Sequence, residues 1–160
     1  MSFLLFITFS TLVIIYPIYF EFVLVKKIPL KRKEKIFALL SNKFEGLKEN
    51  NFGFFEITSN NKNILLEYKA IRHKNGFSNI LKVYLDISNI EDDIKNLCKI
   101  HFYCTKIDNK DWVEMSVNVF FDSIDNLVKY SGKTIDRMIS ETEIYISEKR
   151  TERDKKQLFT

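Results

Sequence analysis

Residues 64–87 read ILLEYKAIRHKNGFSNILKVYLDI, and the spacing of apolar residues in this stretch decides the fold. Successive side chains of a strand point to opposite faces, so Leu81, Val83 and Leu85 share one face. Asn75-Gly76 sits between the two runs and is the strongest local signal in the chain. A type I′ hairpin turn needs positive φ at both central residues, which Asn and Gly supply. The stretch therefore predicts a strand over residues 64–72 and a second, antiparallel to it, over residues 77–87.

Upstream, FGFFEIT at residues 52–58 reads as a further strand, joined to the hairpin through the polar cluster at residues 59–63. Before it, Ile36, Phe37, Leu40, Phe44 and Leu47 recur at helical spacing, predicting an amphipathic helix over about residues 33–49 that follows a break at Ile28-Pro29-Leu30. Downstream, Ser88 to Glu91 has the S-x-x-E form of a capping box, and Ile90, Ile94 and Leu97 follow at helical spacing. Residues 100–107 and 112–121 then read as two strands paired across residues 108–111. In the second of these Val113, Met115, Val117, Val119 and Phe121 face inward, and Glu114, Ser116 and Asn118 outward.

Asp122 or Ser123 caps a long closing helix carrying Ile124, Leu127, Val128, Ile135, Met138, Ile139 and Ile146, with Gly132 as an interruption or bend. The charged segment from Ser147 is predicted to fray into solvent. The expected order is α-βββ-α-ββ-α, an α+β fold with one antiparallel sheet whose apolar face the two long helices cover.

The N-terminus carries a different signal. Residues 3–25, FLLFITFSTLVIIYPIYFEFVLV, are nearly unbroken apolar sequence with one carboxylate, Glu21. A membrane anchor, a cleaved signal peptide and a buried core helix compete for this stretch. The anchor is favoured. No positive charge precedes the stretch, no small-residue cleavage site follows it, and a helix apolar all round needs partners on every side. At helical rise it spans about 34 Å, against about 30 Å of bilayer hydrocarbon. Lys26, Lys27, Lys31, Arg32, Lys33 and Lys35 follow at once and predict a membrane-interface patch. Positive residues stay inside, so the expectation is a single-pass cell-membrane protein with its N-terminus outside and its folded part cytoplasmic. The predicted organisation is an anchor at 1–25, a basic juxtamembrane segment at 26–35, an α+β domain at 36–150 and a charged tail at 151–160.

Charge narrows the partners. The chain has 25 basic and 21 acidic residues; six of the former and two of the latter precede Ile36, leaving 19 of each beyond it. The net charge of +4 is therefore the N-terminal patch, and the domain offers no basic stripe for nucleic acid. Membrane lipid, an unidentified protein and a second copy of the chain are the partners expected. Two cysteines, Cys98 and Cys104, suit a reducing compartment rather than a disulfide framework.

No phosphate loop, nucleophile elbow or zinc-protease helix occurs, and neither catalytic residues nor a cofactor is expected. Cys98, His101 and Cys104 form C-x-x-H-x-x-C. If the stretch is a strand, the two thiols point away from the imidazole and no metal site forms. His73 reads as a turn residue. Glu91, Asp92 and Asp93 sit at a helix start, where they complement the macrodipole.

Aromatic residues are concentrated on the strands. Phe54 and Phe55 are neighbours and cannot face one side, so some rings must leave the helix-covered face. Phe54, Phe55, Tyr68, Tyr84, Tyr103 and Trp112 are the candidates for a protein-binding surface.

The element order, with FGFFEIT, ILLEYKAI, ILKVYLDI, the helix IEDDIKNL, the hairpin IHFYCTKI and WVEMSVNVFF, and a closing amphipathic helix, resembles the type III secretion chaperone-like fold, including its YbjN branch, over about residues 33–150. The resemblance implies a small, non-enzymatic protein-binding module, often dimeric, and assigns no residue by motif. With the anchor, the expected function is a membrane-tethered chaperone-like or regulatory domain. An immunity or inhibitor protein stationed at the membrane, a subunit of a membrane complex and a lipid-directed enzyme are the alternatives.

Overall fold

The β3–β4 hairpin is the longest pairing in the fold: β3 (Lys62–His73) and β4 (Gly76–Asp86) run antiparallel from Ile64↔Leu85 to His73↔Gly76. A computed structural model describes residues 2–73, 76–118 and 123–158. Around the hairpin stand β1 (Lys48–Glu49), β2 (Phe55–Ser59), β5 (Cys104–Ile107) and β6 (Lys110–Asn118), in the order β1-β2-β3-β4-β6-β5 with every pairing antiparallel. The helices are α1 (Ser2–Tyr19), α2 (Ile28–Ser41), α3 (Asp92–His101) and α4 (Ile124–Leu158).

Turn chemistry sets the registers. Asn60 and Asn61, at φ +50° and +58°, fill a two-residue turn between Ser59 and Lys62, and Asp108 and Asn109, at +49° and +58°, do the same before Lys110. Asn and Asp tolerate this left-handed region because their short polar side chains bond locally. The β3–β4 turn closes on His73↔Gly76, so Gly76 is already a strand residue; Asn75, expected beside it in the turn, lies outside the described residues.

The sheet has two faces of different character. Phe55, Ile57, Ile64, Leu66, Tyr68, Leu81, Val83, Leu85, Val113 and Val117 alternate onto one of them and are buried. There α2 packs on β3 and α4 lies across β4 and β6, supplying Ile36, Leu40, Leu127, Ile135 and Met138, all at most 1% exposed. Each such side chain, taken fully from water, contributes about 1.5–3 kcal/mol before entropy is charged against it. Met115 faces the same core half-buried, while Val119 and Phe121 lie outside the described residues.

The N-terminal expectation is overturned. The α-helical part of the apolar stretch is the 18 residues Ser2–Tyr19, about 27 Å at 1.5 Å per residue and short of a bilayer core of about 30 Å. From Phe20 the backbone passes into a wider π-helical segment, Phe20–Lys27, which carries Glu21, Lys26 and Lys27. Among the described residues no helix is long and apolar enough to cross a membrane. The transmembrane anchor, the single-pass cell-membrane location and the N-outside orientation that followed from them are corrected accordingly. Side chains of α1 from Thr11 to Tyr19 are nevertheless exposed.

Four element boundaries also differ from expectation. Pro29 does not break the chain: it lies in the first turn of α2, which follows the π-helical segment directly. α2 then stops at Ser41, and β1 forms where the helix was expected to continue. α3 begins after Glu91, whose side chain makes no cap bond, and runs through His101 into the segment expected to be a strand. Ser88 serves elsewhere: its N–H donates to Asp86 Oδ1 and its Oγ accepts from the Asp111 N–H.

The fourth boundary is the end of α4, which continues unbroken through Gly132 and past Ser147 to Leu158. Ser123 caps it, its Oγ accepting from the Asn126 N–H, while Asp122 lies outside the described residues. Gly132 has a packing reason. A Cβ there would lie 3.0 Å from Lys43 Nζ, which donates to the carbonyls of Val128 and Lys129.

Candidate interaction face

The strand parity that buries Leu66 under the helices turns Leu65 to the opposite face. There Leu65 on β3 stands directly across from Tyr84 on β4, and Trp112 on β6 lies across from Asp86. Leu65, Tyr84 and Trp112 form a second, smaller buried cluster, with Phe54 and Ile107 packed against it. Among the described residues no helix packs on this cluster. Five apolar side chains instead cover one another.

Local bonds hold the cluster's rim. Asn50 Oδ1 accepts from the N–H groups of both Phe52 and Phe54 at 3.0 Å, and Gly53 takes φ +79° between them. That kink, which only glycine enters at no steric cost, sends Phe54 to the open face before Phe55 enters the core. Phe54 meets Tyr84 edge to face at 5.8 Å between ring centres, and the Trp112 indole N–H donates to the Ile107 carbonyl at 3.2 Å. The loop at residues 50–52 and the β5–β6 turn flank a shallow cleft of about 220 Å³ above Leu65 and Trp112. Its rim carries Asn50, Asn51, Asn63, Glu56, Asp108 and Lys110.

The charges beside the cluster are committed to each other. Tyr84 Oη donates to Glu67 Oε2 at 2.7 Å, Lys69 pairs with Glu67 at 2.8 Å, and Lys82 pairs with Glu114 at 2.6 Å. Burial pushes Glu67 up, but the hydrogen bonds from Lys69 and Tyr84 outweigh it and hold the carboxyl below its ordinary range. Burial, and then the bond to Glu67, drive the Tyr84 phenol well above its ordinary value. The bond to Glu114 leads in raising Lys82. Each shift favours the protonation state already present at neutral pH, so none of these three groups is poised to exchange a proton there.

The six aromatic candidates divide between the faces. Phe54, Tyr84 and Trp112 come together on the open face, and Tyr103 stands at the start of β5, 71% exposed, its carbonyl accepting from the Glu114 N–H at 2.8 Å. Phe55 and Tyr68 lie in the helix-covered core and are out of a partner's reach. Phe55 packs on Phe37, and the Tyr68 hydroxyl donates to Asn79 Oδ1. Leu65 and Ile107 belong to the same cluster but are aliphatic, and so stand outside the aromatic candidates. The period-two pattern of β3 and β6 was the signal that would have found Leu65.

The basic patch also divides. Arg32 donates to Asn79 Oδ1 at 3.3 Å, and Lys33 pairs with Glu49 and lies over the Phe55 ring, so both turn onto the domain. Lys26 pairs with Glu21 at 3.5 Å, and Lys26, Lys27, Lys31 and Lys35 are exposed.

The C-x-x-H-x-x-C stretch divides between α3 and β5 instead of forming the one strand expected of it. Cys98 is buried on α3, His101 stacks on Tyr145 at 4.3 Å, and Cys104 lies on β5 with its thiol 3.8 Å from the Cys98 carbonyl. Burial pushes the Cys104 thiol up to about 11, with Cys98 adding to it. Among the described residues no three His, Cys, Asp or Glu side chains are grouped to hold a metal.

No protein-family model matches this chain, and comparisons with curated proteins and with solved structures find no significant match.

Proposed function

We propose that this protein is a non-enzymatic protein-binding module, chaperone-like or regulatory in character, that docks its partner on the open face of the sheet. The observation that carries this reading is the pair of exposed rings, Phe52 at 67% and Tyr103 at 71% exposure, beside the small self-packed cluster of Leu65, Tyr84 and Trp112. Large rings with low side-chain entropy are the residues that anchor protein interfaces, and an apolar centre with a polar rim is their usual arrangement. The neighbouring Glu67, Lys69, Lys82 and Glu114 are already neutralised in pairs, so a partner covering them strands no single charge. Kinship with the type III secretion chaperone-like fold, YbjN branch, belongs to the same proposal and rests on element order, with β1 as an addition to the pattern.

The test is site-specific photo-crosslinking in cells producing the full chain. A photoreactive residue replacing Phe52 or Tyr103 is expected to give adducts of defined mass, and one replacing Ile144, 55% exposed on α4, is expected to give none of that mass. Equal labelling from all three positions refutes docking on this face.

A further inference from the structure

The cleft beside Phe52 holds charge that the fold leaves uncommitted. Glu56 on β2 stands directly across from Leu65, on the open face, and Asp108 lies in the β5–β6 turn. Both line the cleft and both are exposed. Among the described residues neither enters an ion pair, in contrast to Glu67 and Glu114 on the same face. Lys48 faces Glu56 across the β1–β2 ladder, but it does not line the cleft and forms no ion pair with the carboxylate. Lys110 is the cleft's only cation among the described residues, so two carboxylates stand against one ammonium.

The rest of the lining narrows the occupant. Leu65 and Trp112 form an apolar floor, the exposed Phe52 ring stands at its side, and the Asn51 and Asn63 amides offer carbonyl oxygens at the rim. Cavities that enclose whole small-molecule ligands run to about 300–1,000 Å³, so about 220 Å³ suits a single side chain of an incoming protein. Docking also takes Glu56 and Asp108 out of water. A carboxylate buried without a partner is costly, so the incoming chain must bring a cation. Of the two cationic side chains, arginine is the less strongly hydrated, stacks on aromatic rings and presents five N–H donors and no acceptor.

We propose that the cleft receives an arginine of the partner protein, its methylene stem over Leu65 and Trp112 and its guanidinium at the rim, against Phe52 and the carboxylates of Glu56 and Asp108. The arginine's role rests on docking at the open face, of which it is the specificity determinant. Glu56 and Asp108 neutralise the incoming charge, and Lys110 opposes it. Lysine enters less well, because its compact ammonium holds its hydration and cannot fork between two carboxylates.

Trp112 is the chain's single tryptophan, so its emission in the full chain reports on the cleft floor. Titration with acetyl-Gly-Arg-Gly-amide is expected to shift that emission saturably. The citrulline peptide keeps the shape and loses the charge, and is expected to bind at least roughly tenfold more weakly at constant ionic strength. The lysine peptide falls between the two. Glu56→Gln and Asp108→Asn are each expected to weaken arginine binding roughly threefold and Lys110→Gln to tighten it, while Glu148→Gln, exposed on α4, changes nothing. Glu56 is exposed and asparagine tolerates the left-handed backbone at position 108, so these variants keep the fold. Equal affinity for the arginine and citrulline peptides, or arginine binding indifferent to both carboxylate substitutions, overturns the proposal. If photo-crosslinks from positions 52 and 103 persist beside that result, docking on the open face stands without the arginine. Arginine binding with no such crosslinks refutes docking and, with it, the arginine's role in a partner.

Discussion

Leu65 and Leu66 are neighbours in one strand, and the difference between them is the difference between the two faces of the sheet. Leu66 is fully buried on the helix-covered face, in a core that draws on α2, α3, α4 and the strands β2, β3, β4 and β6. Leu65 is nearly as buried, at 5%, but its cover is a handful of side chains on the open face. Equal burial conceals unequal support. Where helices pack from above, a deleted side chain leaves a cavity that the surroundings cannot close, whereas a thin surface cluster can relax or admit water.

The largest effect should follow from that contrast. Leu66→Ala is expected to cost about 3–4 kcal/mol and Leu65→Ala about 1–2 kcal/mol, read as the shift in urea midpoint at constant m-value. Equal losses would mean that the open face is as rigidly packed as the core and is not a thin cluster awaiting a partner.

Next in size is the polar rim of the open face. Tyr84→Phe removes the donor to Glu67 and is expected to cost about 1 kcal/mol at neutral pH. The fold raises the Tyr84 pKa, so this stabilisation is complete below the unfolded value near 10 and is lost as pH rises beyond it. The gap between wild type and Tyr84→Phe should therefore narrow above about pH 10. Glu67 behaves oppositely. Its depressed pKa gives stability that is present above the unfolded value near 4.3 and lost as pH falls through the folded one. Glu67→Gln should accordingly lie closest to wild type in acid, checked by urea titration across the acid range. A gap unchanged by pH would detach these groups from the network that neutralises the face.

How the faces would be assigned was largely legible in the sequence; how they would be bounded was not. The alternation of β4 and β6 separates the inward residues from the outward ones, and Phe54 next to Phe55 already requires two destinations. Strand β1 escaped because two residues, Lys48 and Glu49, carry no period. The start of β5 differs from expectation because Ile100, Phe102 and Tyr103 look like strand, yet Ile100 lies in the last turn of α3 at 83% exposure. Apolar content without a periodic partner does not fix an element's type. The N-terminal stretch failed similarly, since composition suggested one long span where the backbone changes from α-helix to π-helix at Phe20.

The remaining boundary error concerns the end of α4 and gives the smallest expected effect. Residues after Ser147 were expected to fray because their pattern is charged throughout, but Arg150 forks onto Glu91 through Nε at 3.2 Å and Nη2 at 2.8 Å. Arg153 reaches Asp93 at 3.5 Å, so the start of α3 ties down the last turns of α4. Glu91's carboxyl is held below its usual range first by the bond from Arg150. Exposed pairs of this kind are screened by salt and contribute little to global stability, yet a bidentate fork can still decide whether a helix end is formed. Glu91→Gln is therefore expected to leave the urea midpoint unchanged while accelerating amide exchange across residues 150–158, and 1 M salt should produce the same acceleration in the wild type. Exchange in this segment that ignores both changes would show that helix propensity alone carries α4 to Leu158, and that neither face of the sheet depends on how the helix ends.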